Sequence, residues 1–394
     1  MRVGAGLSLS KDHIQAAREA VTEAKRNLAY NKIDLALVFS SLEYSHALVF
    51  QTITNLLGNI PILGSSSLAI ISNNGVFKHG LAVLLISLND DVYFNAALVR
   101  DVSAKSAASA GRELGEKLMY GFKGVRRNLS LIFSDGLIPD CANLVLGLQE
   151  QLGKSFPLLG ASASGNVSNG KTYTYFNHEV ITNSACGILW GGKLNFGIGV
   201  KHGWKPLGKP HQVSRSQGNV VNEIDGQSAS IFYEEYFDKD INSLRKELKQ
   251  MSLLYPLGIC VTENNDYLLR SLTAIQDDGS VVFNGNVPEG STVRLMIGSK
   301  ESCLQATKDA LEAAKSNLTG RKIALALIFD SISRFQLLGR NIDQELNIIK
   351  ESLGEKTPIL GIYTNAEQAP LSILRYLGGS YLHNNSISIL TVAD

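Results

Sequence analysis

IPILGSSS (Ile60–Ser67) is written twice more along the chain, as FPLLGASAS (Phe156–Ser164) and TPILGIYTN (Thr357–Asn365). Each copy sets a proline two residues before a leucine–glycine pair and follows the glycine with small or hydroxyl residues. Upstream of each lies an apolar run of strand length, KIDLALVFSS, NLSLIFSDG and KIALALIFDS, with Phe39, Phe133 and Phe329 near its end. The glycines Gly64, Gly160 and Gly361 follow these phenylalanines by 25, 27 and 32 residues. That interval accommodates one helix and a return strand.

The agreement extends further upstream. Ile14, Ala17, Val21, Ala24 and Leu28 fall on one face of a helix, and the same offsets recur at Ala104, Ala107, Gly111, Leu114 and Leu118, and at Leu304, Thr307, Leu311, Ala314 and Leu318. Each set precedes its strand. The pattern predicts three copies of helix–strand–helix–strand, each closed by a further apolar strand: LAVLLISL from Leu81, ACGILWGG from Ala185 and SISILTV from Ser386. Uninterrupted apolar strands alternating with helices imply an α/β fold of layered mixed sheets covered by helices. Within this scheme the proline starts a strand where a missing N–H costs little, and the glycine is expected at the strand's end, allowing a tight exit. Between the second and third copies, the chain from Leu194 to Gly298 reads instead as a strand-rich insert: a strand, a Gly/Pro turn, another strand and a helix, then alternating strands with turns at Asp278-Gly279 and Pro288–Gly290.

Composition narrows the function classes. The 394 residues carry a formal net charge of +1, with 44% hydrophobic and 19% charged residues. No net field recruits nucleic acid or an acidic membrane, and Lys123, Arg126 and Arg127 read as solvated loop charge. No apolar stretch reaches the length of a membrane span or of a signal peptide. Cys141, Cys186, Cys260 and Cys303 lie far apart, as expected of reduced thiols in a cytoplasmic protein. GLQEQLGKS (Gly147–Ser155) falls short of a phosphate-binding loop because five residues, not four, separate its glycines, and a helix C-cap at Gly153 is the simpler reading.

Several ordered segments, HGWKPLG from His202, QGNVVNEIDGQSA from Gln217, GNVPEGSTVRLM from Gly285, RFQLLG from Arg334, GIYTNAEQAP from Gly361 and LHNNS from Leu382, together resemble the FIST family of sensory modules. The resemblance implies an N-terminal FIST-type domain over 1–220 and a C-terminal one over 221–394. It also implies a ligand-sensing function, with a small polar metabolite such as an amino acid as ligand. The output would be a separate protein: a histidine kinase, a cyclase or a chemotaxis component. Haem, ligated through His202, is the alternative carried by some relatives, and no other cofactor is expected. The chain departs from the family at Ala69 and Ile70, where a Gly-Glu pair is common, at Ala366, and at Ser331, where many relatives have cysteine. These departures favour recognition over catalysis.

Among individual residues, Arg334 follows the strand IALALIFDS and stands near its C-terminal end, where ligands collect in α/β sheets. Its guanidinium offers a fixed fork to a carboxylate, or equally to a nearby acid such as Asp330 or Asp343. Glu367 and Thr364, beyond the third corner, would face the same rim, so that Arg334 and Glu367 would hold the two ends of a zwitterion. Ser65, Ser66 and Ser162 are the corresponding hydroxyls after the first two corners. An enzyme would instead use Ser162 or Cys141 as nucleophile, and needs a histidine within reach of either.

Overall fold

The computed structural model describes residues 1–394 except 166–169, 262–265 and 372–378. Three copies of one unit are present, each with its own six-stranded sheet. In the first unit an opening strand (Arg2–Ser8) leads into a helix (His13–Leu28), a central strand (Leu35–Ser40), a second helix (His46–Leu57) and the corner strand (Ile62–Ser66). A short hairpin (Ile70–Ser72, Gly75–Phe77) and a closing strand (Leu81–Ser87) complete it. The opening strand was not part of the sequence reading. Its RVGAGLS alternates small residues, and Gly4 and Gly6 pass so near the following helix that a Cβ would lie 2.2 and 2.1 Å from the carbonyls of Ala24 and Ala20. Small size for helix contact, rather than hydrophobicity, marks this strand.

The central and corner strands pair in parallel with one register in all three units. Val38 faces Gly64, Ile132 faces Gly160, and Ile328 faces Gly361. Each glycine therefore sits inside its strand, not at the exit expected from the sequence. The cause is a close approach of backbones: an added Cβ would stand 1.8, 2.3 and 2.4 Å from the carbonyls of Val38, Ile132 and Ile328. The prolines act as expected of strand-entry residues, each lending its carbonyl to the central strand at 2.9–3.1 Å.

The hairpins do not return to their own sheets. The first unit's hairpin pairs with the corner strand of the third unit, the second unit's (Thr174–Phe176, Glu179–Ile181) with the first, and the third unit's (Ala366–Pro370, Ser380–His383) with the second. The exchange is cyclic and closes the three units around a common core. Leu35, Leu37 and Phe39 meet Leu129, Leu131 and Phe133 and Leu325, Leu327 and Phe329 in one apolar cluster. The three phenylalanines are fully buried, with Phe39–Phe133 and Phe133–Phe329 centroids 5.5 and 5.9 Å apart. Alternate residues of the same strands, such as Val38, Ile132 and Ile328, pack on each unit's own helices. With both faces covered, every strand position must be apolar, which is why the sequence shows unbroken hydrophobic runs.

In the third unit the opening strand is Asn195–Lys201, which the sequence assigns to the insert; it pairs with the unit's closing strand and is parted from its helix (Lys300–Lys315) by the insert, whose strands form an eight-stranded sheet that shares a separate core with two helices (Ala229–Phe237, Ile241–Leu254). The strand and the helix that frame the insert still pack on each other, so the insert stands on the third unit.

Candidate functional site

Arg334 lies in the short helix Ile332–Leu338, one turn beyond the third central strand, and is fully buried. It does not face an open rim. Its Nε donates to Asp330 at 2.7 Å, Nη1 to the His202 carbonyl at 3.0 Å, and Nη2 to the Cys303 carbonyl at 3.2 Å, Thr307 Oγ1 at 2.8 Å and Glu345. A guanidinium taken out of water must spend its donors on protein acceptors, and protein groups engage four of this one's five N–H bonds. Burial works against its charge, but Asp330 and Glu345 outweigh it and hold Arg334 protonated. Burial, and then the neighbouring Glu345 carboxylate, push Asp330 well above the usual carboxylate range. The sequence expectation of Arg334 as a ligand fork gives way here to its pairing with Asp330.

Glu367 is also fully buried: its Oε1 lies 2.5 Å from Thr364 Oγ1, and the carboxyl accepts hydrogen bonds from Ser386 N and Oγ at 3.2 and 2.6 Å. Burial pushes its carboxyl up to about 8 against the pull of those bonds. Thr364 passes its own proton to the Asp330 carbonyl at 3.2 Å. Arg334 and Glu367, coupled in the sequence reading, thus lie in one buried region behind the same wall.

The hydroxyls after the first two corners serve the joints between units. Ser66 Oγ donates to the Ser164 carbonyl and accepts from Tyr173 N, both at 3.0 Å. Ser65 is buried, with no partner for its Oγ among the described residues. Ser162 contacts Ser134 Oγ at 3.0 Å, Cys141 Sγ at 3.6 Å and Gln368 Nε2 at 3.1 Å. No imidazole is among the partners of Ser162 or Cys141, and burial raises the Cys141 thiol. Among the described residues, no base that nucleophilic catalysis requires is bonded to either residue. Gly153 caps the helix Cys141–Leu152, bonding its N–H to the Gln149 carbonyl at 2.8 Å, as the capping reading of GLQEQLGKS expected.

In front of the Arg334–Glu367 region, at the seam between the third unit and the insert, opens a cavity of about 590 Å³. Its inner surface is made by His202, Trp204, Tyr267, His383 and Ser386. Both histidines rest neutral: burial lowers His202 to about 3 and His383 to about 4. His202 Nδ1 accepts from Trp204 N at 2.9 Å, and the ring also bonds the backbone of Tyr267. With both sides of the imidazole engaged, His202 presents no nitrogen to a haem iron. No group of three or more metal-binding side chains occurs among the described residues. One wall is the helix Lys300–Lys315, which contributes Glu301, Ser302, Gln305 and Asp309; Asp266 adds a further carboxylate, and Lys201 and Lys205 supply cations. The buried network is attached directly to this surface, through Arg334 to the His202 carbonyl and through Glu367 to Ser386.

Of these lining residues only His202 stands out in sequence as a candidate ligand. Glu301, Gln305 and Asp309, spaced by four, were legible as a polar stripe on a helix, yet such stripes usually face solvent. Nothing in sequence brings Trp204, Tyr267 and His383 together.

Two proteins described as uncharacterized, from Mycobacterium bovis and Mycobacterium tuberculosis, are each 23% identical to this chain over 401 residues, covering 100% of it and 99% of their own length. One from Methanocaldococcus jannaschii is 24% identical over 77% of the chain and 62% of its own length. Among solved structures, a cyanuric acid hydrolase from A. caulinodans covers 99% of the chain and 98% of its own, at 8% identity and a TM-score of 0.38, a likeness too distant to bear on function. Residues 34–227 match the FIST N domain and residues 229–370 the FIST C domain, and the chain belongs to the FIST family.

Proposed function

We propose that this chain is a non-catalytic sensor that binds a small amino-bearing metabolite, an amino acid in the first instance, in the cavity at the seam of third unit and insert. FIST domains are small-ligand sensory domains of signal transduction. The observation that carries the reading is the cavity itself: about 590 Å³, with acids and lysines on its walls and neutral histidines and aromatics within. Three carboxylates, on Asp266, Glu301 and Asp309, suit an ammonium, and Lys201 and Lys205 suit a carboxylate. Ligand sites favour the junctions of structural units, and a ligand here touches both sides of one. Arg334 and Glu367 act behind the wall, fixing the His202 carbonyl and Ser386. Occupancy is read by a separate cytoplasmic signalling protein, such as a histidine kinase, cyclase or chemotaxis component, and no cofactor takes part.

Thermal-shift measurements across the amino acids test this. A true ligand raises the melting temperature with concentration, since binding at about one hundred times Kd adds about 2.7 kcal/mol to the native state. Gln305→Trp, at an exposed helix position on the cavity wall, fills the space and abolishes the shift. The reading fails if no amino acid raises the melting temperature, or if Gln305→Trp keeps the full effect.

A further inference from the structure

A second cavity, of about 850 Å³, lies at the junction of the second and third units, lined by Arg126, Arg127, Lys193 and Arg321 and by no acidic residue. The fold gathers these cations from three places. Arg126 and Arg127 stand at the entry of the second central strand (Arg127–Ser134), Lys193 in the turn between Ser184–Gly192 and Asn195–Lys201, and Arg321 just before the third central strand (Ile323–Ser331). Sequence alone assigned Arg126 and Arg127 to solvated loop charge. It could not show that Lys193 and Arg321 face the same space.

Arg126 and Arg127 are not paired with a carboxylate among the described residues. Arg127 reaches Met119 Sδ at 3.2 Å and lies 5.7 Å from the Phe156 ring centroid, and one Arg321 donor reaches the Asp394 backbone oxygen at 3.3 Å. Arg126 makes no ion pair among the described residues. Lys193 alone has an acid, Asp91 at 3.4 Å, in a pair open to solvent. The other cavities between or beside the units carry charges of both signs. One cavity there combines Glu23 and Glu355 with Lys356, and one groove combines Glu116 with Arg100 and Lys117, which are themselves paired to Glu179 and Glu113. Four cations around one cavity repel one another, in a chain whose net charge is only +1. A bound polyanion removes that repulsion.

We infer that this cavity is a second ligand site, for a phosphate-bearing metabolite of nucleotide class. Guanidinium forks match phosphate oxygens two at a time, and Phe156 and Phe196 in the same lining offer apolar faces to a planar base. The site is distinct from the seam cavity. The strand Asn195–Lys201 begins at the basic cavity and ends at the other, a span of about 20 Å at strand rise.

Titration calorimetry of the full chain with ATP and with pyrophosphate, at low and at raised salt, decides the matter. Binding is expected for both, weakening as salt rises, and about tenfold or more weaker in Arg127→Gln and in Arg321→Gln. Both side chains are exposed, so an unchanged melting temperature without ligand verifies that the variants fold. Gln305→Trp leaves this binding intact, which separates the inference from the seam-cavity reading. Absence of heat with ATP and pyrophosphate at millimolar concentration overturns the inference. So does binding unchanged in both variants, or displacement of ATP by an oligonucleotide or polyglutamate that binds more tightly than ATP.

Discussion

Replacing Glu367 by glutamine tests whether a buried carboxylic acid stays protonated behind the seam cavity. Burial raises this group from an ordinary 4.5 to about 8, so the folded chain holds a proton that the unfolded chain releases. For an acid displaced upward the sign is fixed: the native state binds more protons, and stability falls as pH rises from the unfolded value through the folded one. The contribution is complete below about pH 4.5 and gone above about pH 8. Between about pH 6.5 and about pH 8.5 the loss comes to about 2 kcal/mol, at 1.36 kcal/mol per unit of pKa. His202 and His383, lowered to about 3 and about 4, act in the opposite sense and only below the ordinary histidine value, so they leave this window clear. Glutamine cannot ionise, and its amide can donate to Thr364 Oγ1 as the protonated acid does, while its oxygen accepts from Ser386. Urea unfolding across the window should show the wild-type unfolding free energy falling with pH and that of Glu367→Gln falling by about 2 kcal/mol less. Equal slopes in the two proteins would show that Glu367 is ionised throughout, and would refute the reasoning.

Other outcomes follow from the same geometry. Phe133→Ala, at the meeting of the three sheets between Phe39 and Phe329, should lower unfolding stability by about 3–5 kcal/mol, measured by denaturant titration. Arg334→Lys keeps the charge but cannot reach acceptors on four separate segments, and should cost about 3 kcal/mol of stability by the same assay, the scale for breaking a buried ion pair. Retention of full stability by that variant would mean the network is not formed. Haem offered to the purified protein should leave no Soret band, because both sides of the His202 ring are engaged; a band lost on His202→Ala would reverse that reading.

The repeated unit was legible in the sequence because its causes are local. A strand buried on both faces demands unbroken apolar residues, and a strand crossing close to its neighbour demands glycine at a fixed distance from the phenylalanine. Those demands recur with each copy, so the echo of PILG, PLLG and PILG announced the register that pairs Val38, Ile132 and Ile328 with the three glycines. Local pattern also located Arg334 and its partner Asp330, four residues apart on the chain. What it could not supply was where the guanidinium's other donors go. Thr307, Glu345 and the carbonyls of His202 and Cys303 come from as far as 132 residues away, and only packing of the third unit around its insert brings them to one point. The cyclic exchange of hairpins is likewise invisible in sequence, since an antiparallel hairpin satisfies the same hydrogen bonds on any corner strand it meets. Both cavities belong to that tertiary level. Their walls come from segments whose side chains have no reason to resemble each other, because what they share is a space and not a periodicity.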